Sequence, residues 1–300
     1  MPSRRLGVSL GVDLLVPKTC SLNCVYCECG PTTRLTCKRG EYVPTARVAD
    51  ELEHFLSEGP APDFVTFAGS GEPTLHAGLG ELAAYVKKKH PDVRTALLTN
   101  ATLFSDAQVR ADACLVDVVV ASVDAGTHAA FAAVNRPHPG LSVDKHIAGL
   151  TAFAQEYRGE LWVEVFLVPG RNDSPEELEQ IAKALCAIAP SRVQVNHLDR
   201  PGAEPWVAAE DAETLKAAAR ILGAEIIGPP RGIVSRACPE DQVAHRILAA
   251  ARRRPLTADD MGRLLGLSVD RVLPHLDQLL RTSSLREKKL SRGVFYLAAD

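Results

Sequence analysis

Three cysteines fall within eight residues, Cys20-Ser-Leu-Asn-Cys24-Val-Tyr-Cys27. Thiolates are the preferred ligands of iron–sulfur clusters. A C-x3-C-x2-C loop can wrap three corners of a cubane, and it offers no fourth cysteine at matching spacing. One iron of a four-iron cluster would then stay open to a small molecule. The competing chemistry is a zinc knot or a set of buried thiols. Zinc usually takes four ligands in paired C-x2-C units, and this loop lacks that pairing. The cluster is the better-founded reading.

A second group of residues sits where apolar runs end. Gly69-Ser70-Gly71-Glu72-Pro73 follows one such run; its glycines let the backbone approach a ligand, and its carboxylate suits an ammonium. Asn100 closes the next run, Ser122 and Asp124 the one after, and Asn196 a later one. The competing reading of each is a turn former. His76, His128, His138 and His197 fall on expected loops near the same ends, and no spacing pairs them.

The cysteine spacing, with an aromatic residue directly before the last cysteine, resembles the signature of the radical S-adenosylmethionine (radical SAM) superfamily. The resemblance implies a [4Fe-4S] cluster on Cys20, Cys24 and Cys27, with SAM chelated at the open iron. It implies reductive cleavage of SAM to a 5'-deoxyadenosyl radical, which takes hydrogen from a substrate. It also implies a flavodoxin- or ferredoxin-type electron donor. On this resemblance Ser70, Gly71 and Glu72 hold the methionine amino group, and Asn100, Ser122 and Asp124 meet the ribose and carboxylate. Tyr26 lies beside the adenine, with Asn196 and the Val168–Asp173 segment shaping its pocket. Three phrases, Ser70-Gly-Glu-Pro-Thr-Leu75, Asn135-Arg-Pro-His138 and Val195-Asn-His-Leu-Asp-Arg-Pro-Gly202, resemble the branch that includes the tRNA wyosine base-forming enzymes. Those enzymes carry extra cysteines upstream, whereas this chain has none before Cys20.

The elements that must position these residues alternate. Ser9–Pro17, 63–68, 93–99, 115–122, 161–168 and 192–196 read as strands. Helices are expected from Pro44, over 79–89, after Ser105, near 127–134, over 143–157, from Ser174-Pro175 and near 209–222. Six strand–helix units with apolar, non-alternating strands predict an α/β fold, a parallel sheet covered by helices. The radical SAM resemblance makes it a partial (β/α)6 TIM-like barrel over residues 1–227. Sites in such sheets lie at the strands' C-terminal ends, where every residue named above falls.

Gly228-Pro-Pro-Arg-Gly232 marks a turn-rich linker, residues 228–239. Residues 240–300 then read as helix, helix, glycine turn, helix and hairpin, the layout of a winged helix-turn-helix. Pro274 should kink its third helix.

The 300 residues suit this two-part layout, and no apolar stretch approaches the length of a membrane helix. The first residues do not read as a signal peptide. Eight cysteines, three of them clustered, fit a reducing cytoplasm. Residues 239–300 hold 11 Lys and Arg against 8 Asp and Glu, whereas the whole chain carries −3. A mildly basic tail on an acidic body permits contact with nucleic acid, and a solvated face is the competing reading. The substrate is expected to be a macromolecule, RNA or a protein or peptide, with RNA slightly preferred. Cys29, Cys37 and Cys238 are candidates for an auxiliary cluster, free thiols being the alternative. The rival reading of the whole chain is an iron–sulfur transcriptional regulator that binds DNA through its tail.

Overall fold

The computed structural model describes residues 5–59, 61–228, 238–290 and 292–299. Strand β1 (Ser9–Val12) stops at Asp13, short of the Pro17 that its apolar run predicts. Two-residue strands β2 (Thr19–Cys20) and β3 (Arg34–Leu35) then pair in parallel around the cysteine loop. Next come α1 (Thr45–Glu58), β4 (Phe64–Phe67), α2 (Leu79–Lys89), β5 (Arg94–Thr99), α3 (Ala107–Ala113) and β6 (Val118–Ser122). A short α4 (His128–Ala130) leads through a wide turn into α5 (Val143–Glu156), β7 (Glu160–Phe166), α6 (Pro175–Ile188), β8 (Arg192–Asn196), α7 (Ala212–Leu222) and β9 (Glu225–Ile226).

Seven strands form one sheet in the order β1-β4-β5-β6-β7-β8-β9, every neighbouring pair parallel. The six expected strands are all there, and β9 is an addition too short to leave a sequence pattern. Alternate residues divide the sheet's two faces. Val65, Phe67, Leu97, Val119, Val163 and Val195 pack under the helices in the main core. Phe64, Ala96, Val118, Val120 and Trp162 form a second cluster with Leu6 on the opposite face. Each large apolar side chain buried this way contributes about 1.5–3 kcal/mol. Helix starts follow the local chemistry: Ser174 accepts from the Glu177 amide with Pro175 at the first turn, and Asp211 caps α7.

Beyond residue 237 the chain forms α8 (Val243–Arg253), β10 (Leu256–Thr257), α9 (Ala258–Leu265), α10 (Val269–Arg281), β11 (Leu285–Leu290) and β12 (Gly293–Ala298). The strands make an antiparallel sheet in the order β10-β12-β11, and Val243, Ile247, Met261, Val272 and Leu276 make a core of their own. Thr257 and Asp260 close a reciprocal cap on α9, and α10 runs as one helix through Pro274. Most of the expected linker, residues 229–237, lies outside the described residues. No helix among the described residues is long and apolar enough to cross a membrane.

Candidate active site

The site is built at the C-terminal ends of β4, β5 and β6, against the cysteine loop. The loop is laced in place from two sides. The amides of Asn23 and Val25 donate to the carbonyls of Asn135 and Val134, both at 3.0 Å, and His138 N donates to Ser21 O at 2.9 Å. From the far side, Glu204 N donates to Val25 O at 3.0 Å. The Asn135–His138 phrase and the end of the Val195–Gly202 phrase, with Glu204 just beyond it, thus strap the cysteine loop. Gly202 comes so close that a Cβ there would meet the Tyr26 carbonyl at 3.1 Å.

Cys20, Cys24 and Cys27 line one cavity of about 190 Å³. Gly69, Gly71, Glu72, Thr99, Asn100 and Ser122 line it too, as do Arg5, Leu98, Val120 and Glu164. Each cysteine sulfur has a side-chain nitrogen donor: Asn100 Nδ2 on Cys20 and Asn135 Nδ2 on Cys24, both at 3.5 Å, and Lys18 Nζ on Cys27 at 2.8 Å. Burial pushes the Cys20 thiol up to about 12, with the Glu72 charge adding to it, and raises Cys24 well above its ordinary value. Cys27 goes the other way: the Cys29 thiol's hydrogen bond, and then the Lys18 ammonium, favour its thiolate.

Glu72 is buried and knots three segments together. Its Oε1 accepts from Thr74 N at 3.0 Å, and from Thr74 Oγ1 and Thr99 Oγ1, each at 2.6 Å. Its Oε2 accepts from Asn100 N at 2.7 Å. Burial raises its pKa against the pull of those four donors. Gly71 lies so close to β2 that a Cβ would stand 1.9 Å from Thr19 O. Only glycine lets this turn meet the cysteine strand.

Several of the expected contact residues bond to other parts of the protein. Ser70 is turned from the cavity: its amide and hydroxyl both donate to Asp13 Oδ2, at 3.0 and 2.7 Å. Asp124 does not reach the cavity either. It is buried, and its carboxylate accepts from Tyr26 OH at 2.5 Å, Asn135 Nδ2 at 2.7 Å and Phe166 N at 2.8 Å. Tyr26 lines the cavity, but its ring stacks on Phe166 with centroids 3.8 Å apart, so that face is already covered. Asn196 lies outside the wall and donates to Glu164 Oε2 at 3.3 Å; Glu164 in turn pairs with Arg5. These side chains answer to protein partners because a buried polar group left without one is costly.

None of the four candidate histidines lines the cavity, and two of them have clear partners elsewhere. His76 is fully buried, donating from Nε2 to Val43 O at 2.8 Å and accepting from Gly78 N at 3.0 Å. His128 pairs with Asp144 on the surface. An auxiliary cluster is not shown: Cys238 is buried in the C-terminal core, Cys37 packs on the main core, and the Cys29 thiol is hydrogen-bonded to Cys27. Among the described residues no three Cys, His, Asp or Glu side chains stand close enough to share one metal ion. A cubane takes thiolates spread round a larger body than one ion, and three cysteines that line one cavity and accept hydrogen bonds at sulfur fit it.

Sequence reading missed Lys18, Asn135, Asp13, Arg5 and Glu164. Asn135 stood inside a singled-out phrase; the other four carried no local signal, because the partners of Asp13, Arg5 and Glu164 are far along the chain and Lys18 meets Cys27 only through the fold of the loop.

Residues 14–185 match the family described as "Radical SAM superfamily". The chain is 32% identical to a Helicobacter pylori protein called only "UPF0026 protein", over 99% of this chain and 95% of that one. It is 38% identical to a Brachyspira hyodysenteriae protein named "GTPase Obg", over 72% of this chain but 32% of that protein, so it spans about a third of that relative's length. Its fold is similar to a crystal structure of a radical SAM methyltransferase from Sphaerobacter thermophilus, with TM-score 0.54 and 18% identity over 73% of this chain and 64% of that one.

Proposed function

The chain belongs to the radical SAM superfamily, and on that premise we propose that it is a radical SAM enzyme acting on a macromolecular substrate, RNA in the first place. When bound, a [4Fe-4S] cluster carrying SAM supplies one-electron cleavage of the sulfonium and a carbon radical that abstracts hydrogen. Cys20, Cys24 and Cys27 would hold that cluster. The observation that carries the reading is that they line one cavity together with the Gly71-Glu72 turn and the Asn100 and Ser122 strand ends.

The backbone of Gly69–Glu72 offers the close polar approach that the amino acid end of SAM requires, with Glu72 fixing the turn and β5 in register. Ser122 offers its side chain to the remaining polar atoms, while Asn100, its Nδ2 on Cys20 and Ser21 and its Oδ1 accepting from Thr102, holds the cysteine loop beside them. Asp124 acts through Tyr26, holding its ring on Phe166 so that the wall stays dry and unreactive toward a radical. A low-potential electron donor of the flavodoxin or ferredoxin class is required.

The order of elements after residue 237, three helices and a three-stranded antiparallel sheet, supports reading residues 240–300 as a winged helix beside a core of residues 1–227. Its hairpin carries Arg286, Lys288 and Lys289, which suit a phosphate backbone. The phrases similar to the wyosine base-forming enzymes point the same way, toward a tRNA-like substrate. A regulator reading finds no support in the family.

The test is anaerobic reconstitution followed by reduction with SAM present. The expected result is about four irons per chain and formation of 5'-deoxyadenosine, both lost in Cys24→Ala. A reconstituted, reduced protein that forms none would overturn the reading. Mass analysis of RNA and peptides from cells lacking the protein would then identify the substrate.

A further inference from the structure

Lys18 is the one full charge among the three donors to the cysteine sulfurs. Its side chain is buried, and its Nζ stands 2.8 Å from Cys27 Sγ, against 3.5 Å for each asparagine. Its backbone is clamped as well: Lys18 N donates to Thr33 Oγ1 at 3.2 Å, and Lys18 O accepts from the amides of Thr33 and Arg34, both at 3.1 Å. The ammonium is therefore delivered to the sulfur by a fixed segment. Lys18 lines the same cavity as Cys20, Cys24, Cys27 and the buried carboxylate of Glu72, while Arg5, also on that lining, is paired with Glu164.

Reduction of a cluster ligated by these thiolates adds one more negative charge to a site that already holds several. A cation at hydrogen-bond distance from a ligating sulfur stabilises the electron-richer state more than the electron-poorer one, and hydrogen bonds to cluster sulfurs act with the same sign. We infer that Lys18 is a positioning residue for the iron–sulfur group, one that raises its reduction potential through the Cys27 sulfur. The inference rests on the radical SAM reading above and adds to it which side chain of this protein eases the uptake of the electron from a low-potential donor. Asn100 and Asn135 supply the neutral part of the same effect. Asn135 is held to it by Asp124, and Asn100 by its bond to Ser21 Oγ at 2.9 Å.

The experiment compares wild type with Lys18→Arg, Lys18→Gln and Lys18→Met, each reconstituted anaerobically as the full chain. Iron per chain and the midpoint potential are read by a redox titration followed by electron paramagnetic resonance. Lys18→Met is expected to lower the equilibrium constant for reduction about tenfold, a fall of about 59 mV for one electron. Lys18→Gln, which keeps a donor but no charge, should fall between, and Lys18→Arg should stay within about threefold of wild type. If the Met variant does not assemble, the Arg and Gln variants still decide by their order. A series with equal potentials at equal iron content would overturn the inference and leave the radical SAM reading standing. A wild-type protein that gives no cubane signal would overturn both.

Discussion

Replacing Glu72 with Gln removes one oxygen from a carboxylate that is sealed in and accepts four hydrogen bonds. In the better of the two amide orientations the remaining oxygen keeps Thr74 N, Thr74 Oγ1 and Thr99 Oγ1. The new NH2 then faces the Asn100 amide, donor against donor. One charge-assisted bond is lost and one buried backbone N–H is orphaned, at about 1–3 kcal/mol. The flipped orientation strands three donors and costs more. The displaced group is the Asn100 backbone at the end of β5, so SAM should bind more weakly as well. Urea unfolding of the metal-free protein measures the first effect: the midpoint should fall with an unchanged slope. Glu72→Ala should cost still more, since no acceptor remains for the Thr74 and Asn100 amides. A loss under about 0.5 kcal/mol in Glu72→Gln would refute the assignment of Glu72 as the knot of this site.

Gly71→Ala places a methyl against Thr19 O and Leu15, and should cost about 1–3 kcal/mol while abolishing the SAM response; unfolding and SAM titration check it. His146 is buried against Phe131, and burial lowers its pKa to about 4. Below its ordinary pKa of about 6.5 the unfolded chain takes a proton that the folded chain refuses, so stability is full above that value and drains as pH falls toward 4. From pH 7 to pH 5 this group should remove about 2 kcal/mol, a slope that His146→Leu flattens in urea midpoints of the metal-free protein. Arg292 joins Asp199 of the β8 loop to Asp260 of α9, beside the buried Arg200. Arg292→Ala should cost about 2 kcal/mol, between the values for exposed and buried pairs, and separate the thermal transitions of the two cores.

Much of the sheet was legible because its strands are continuous apolar runs of β-branched and aliphatic residues, a pattern that needs no partner to be read. The cysteine loop and the Gly71-Glu72 turn were legible for a related reason: their chemistry is local, in spacing and residue type. What escaped reading is what the fold assembles from a distance. Lys18 is as ordinary in sequence as any lysine, and only the path of the chain back to Cys27 gives it a sulfur to hold. Ser70 and Asp124 stand where ligand contacts were expected, yet Asp13 and Tyr26, far away in sequence, claim them first. Asp13 itself lay inside an apolar run read as strand, and its charge ends β1 there in order to cap the glycine turn.

The central claim is an open coordination site among three cysteines, with SAM filling it. Electron paramagnetic resonance of the reduced, reconstituted protein with and without SAM tests this most directly. The expected result is a four-iron signal whose shape changes when SAM is added, with no such change in Gly71→Ala. A signal indifferent to SAM, or a zinc-filled, EPR-silent protein, would contradict it.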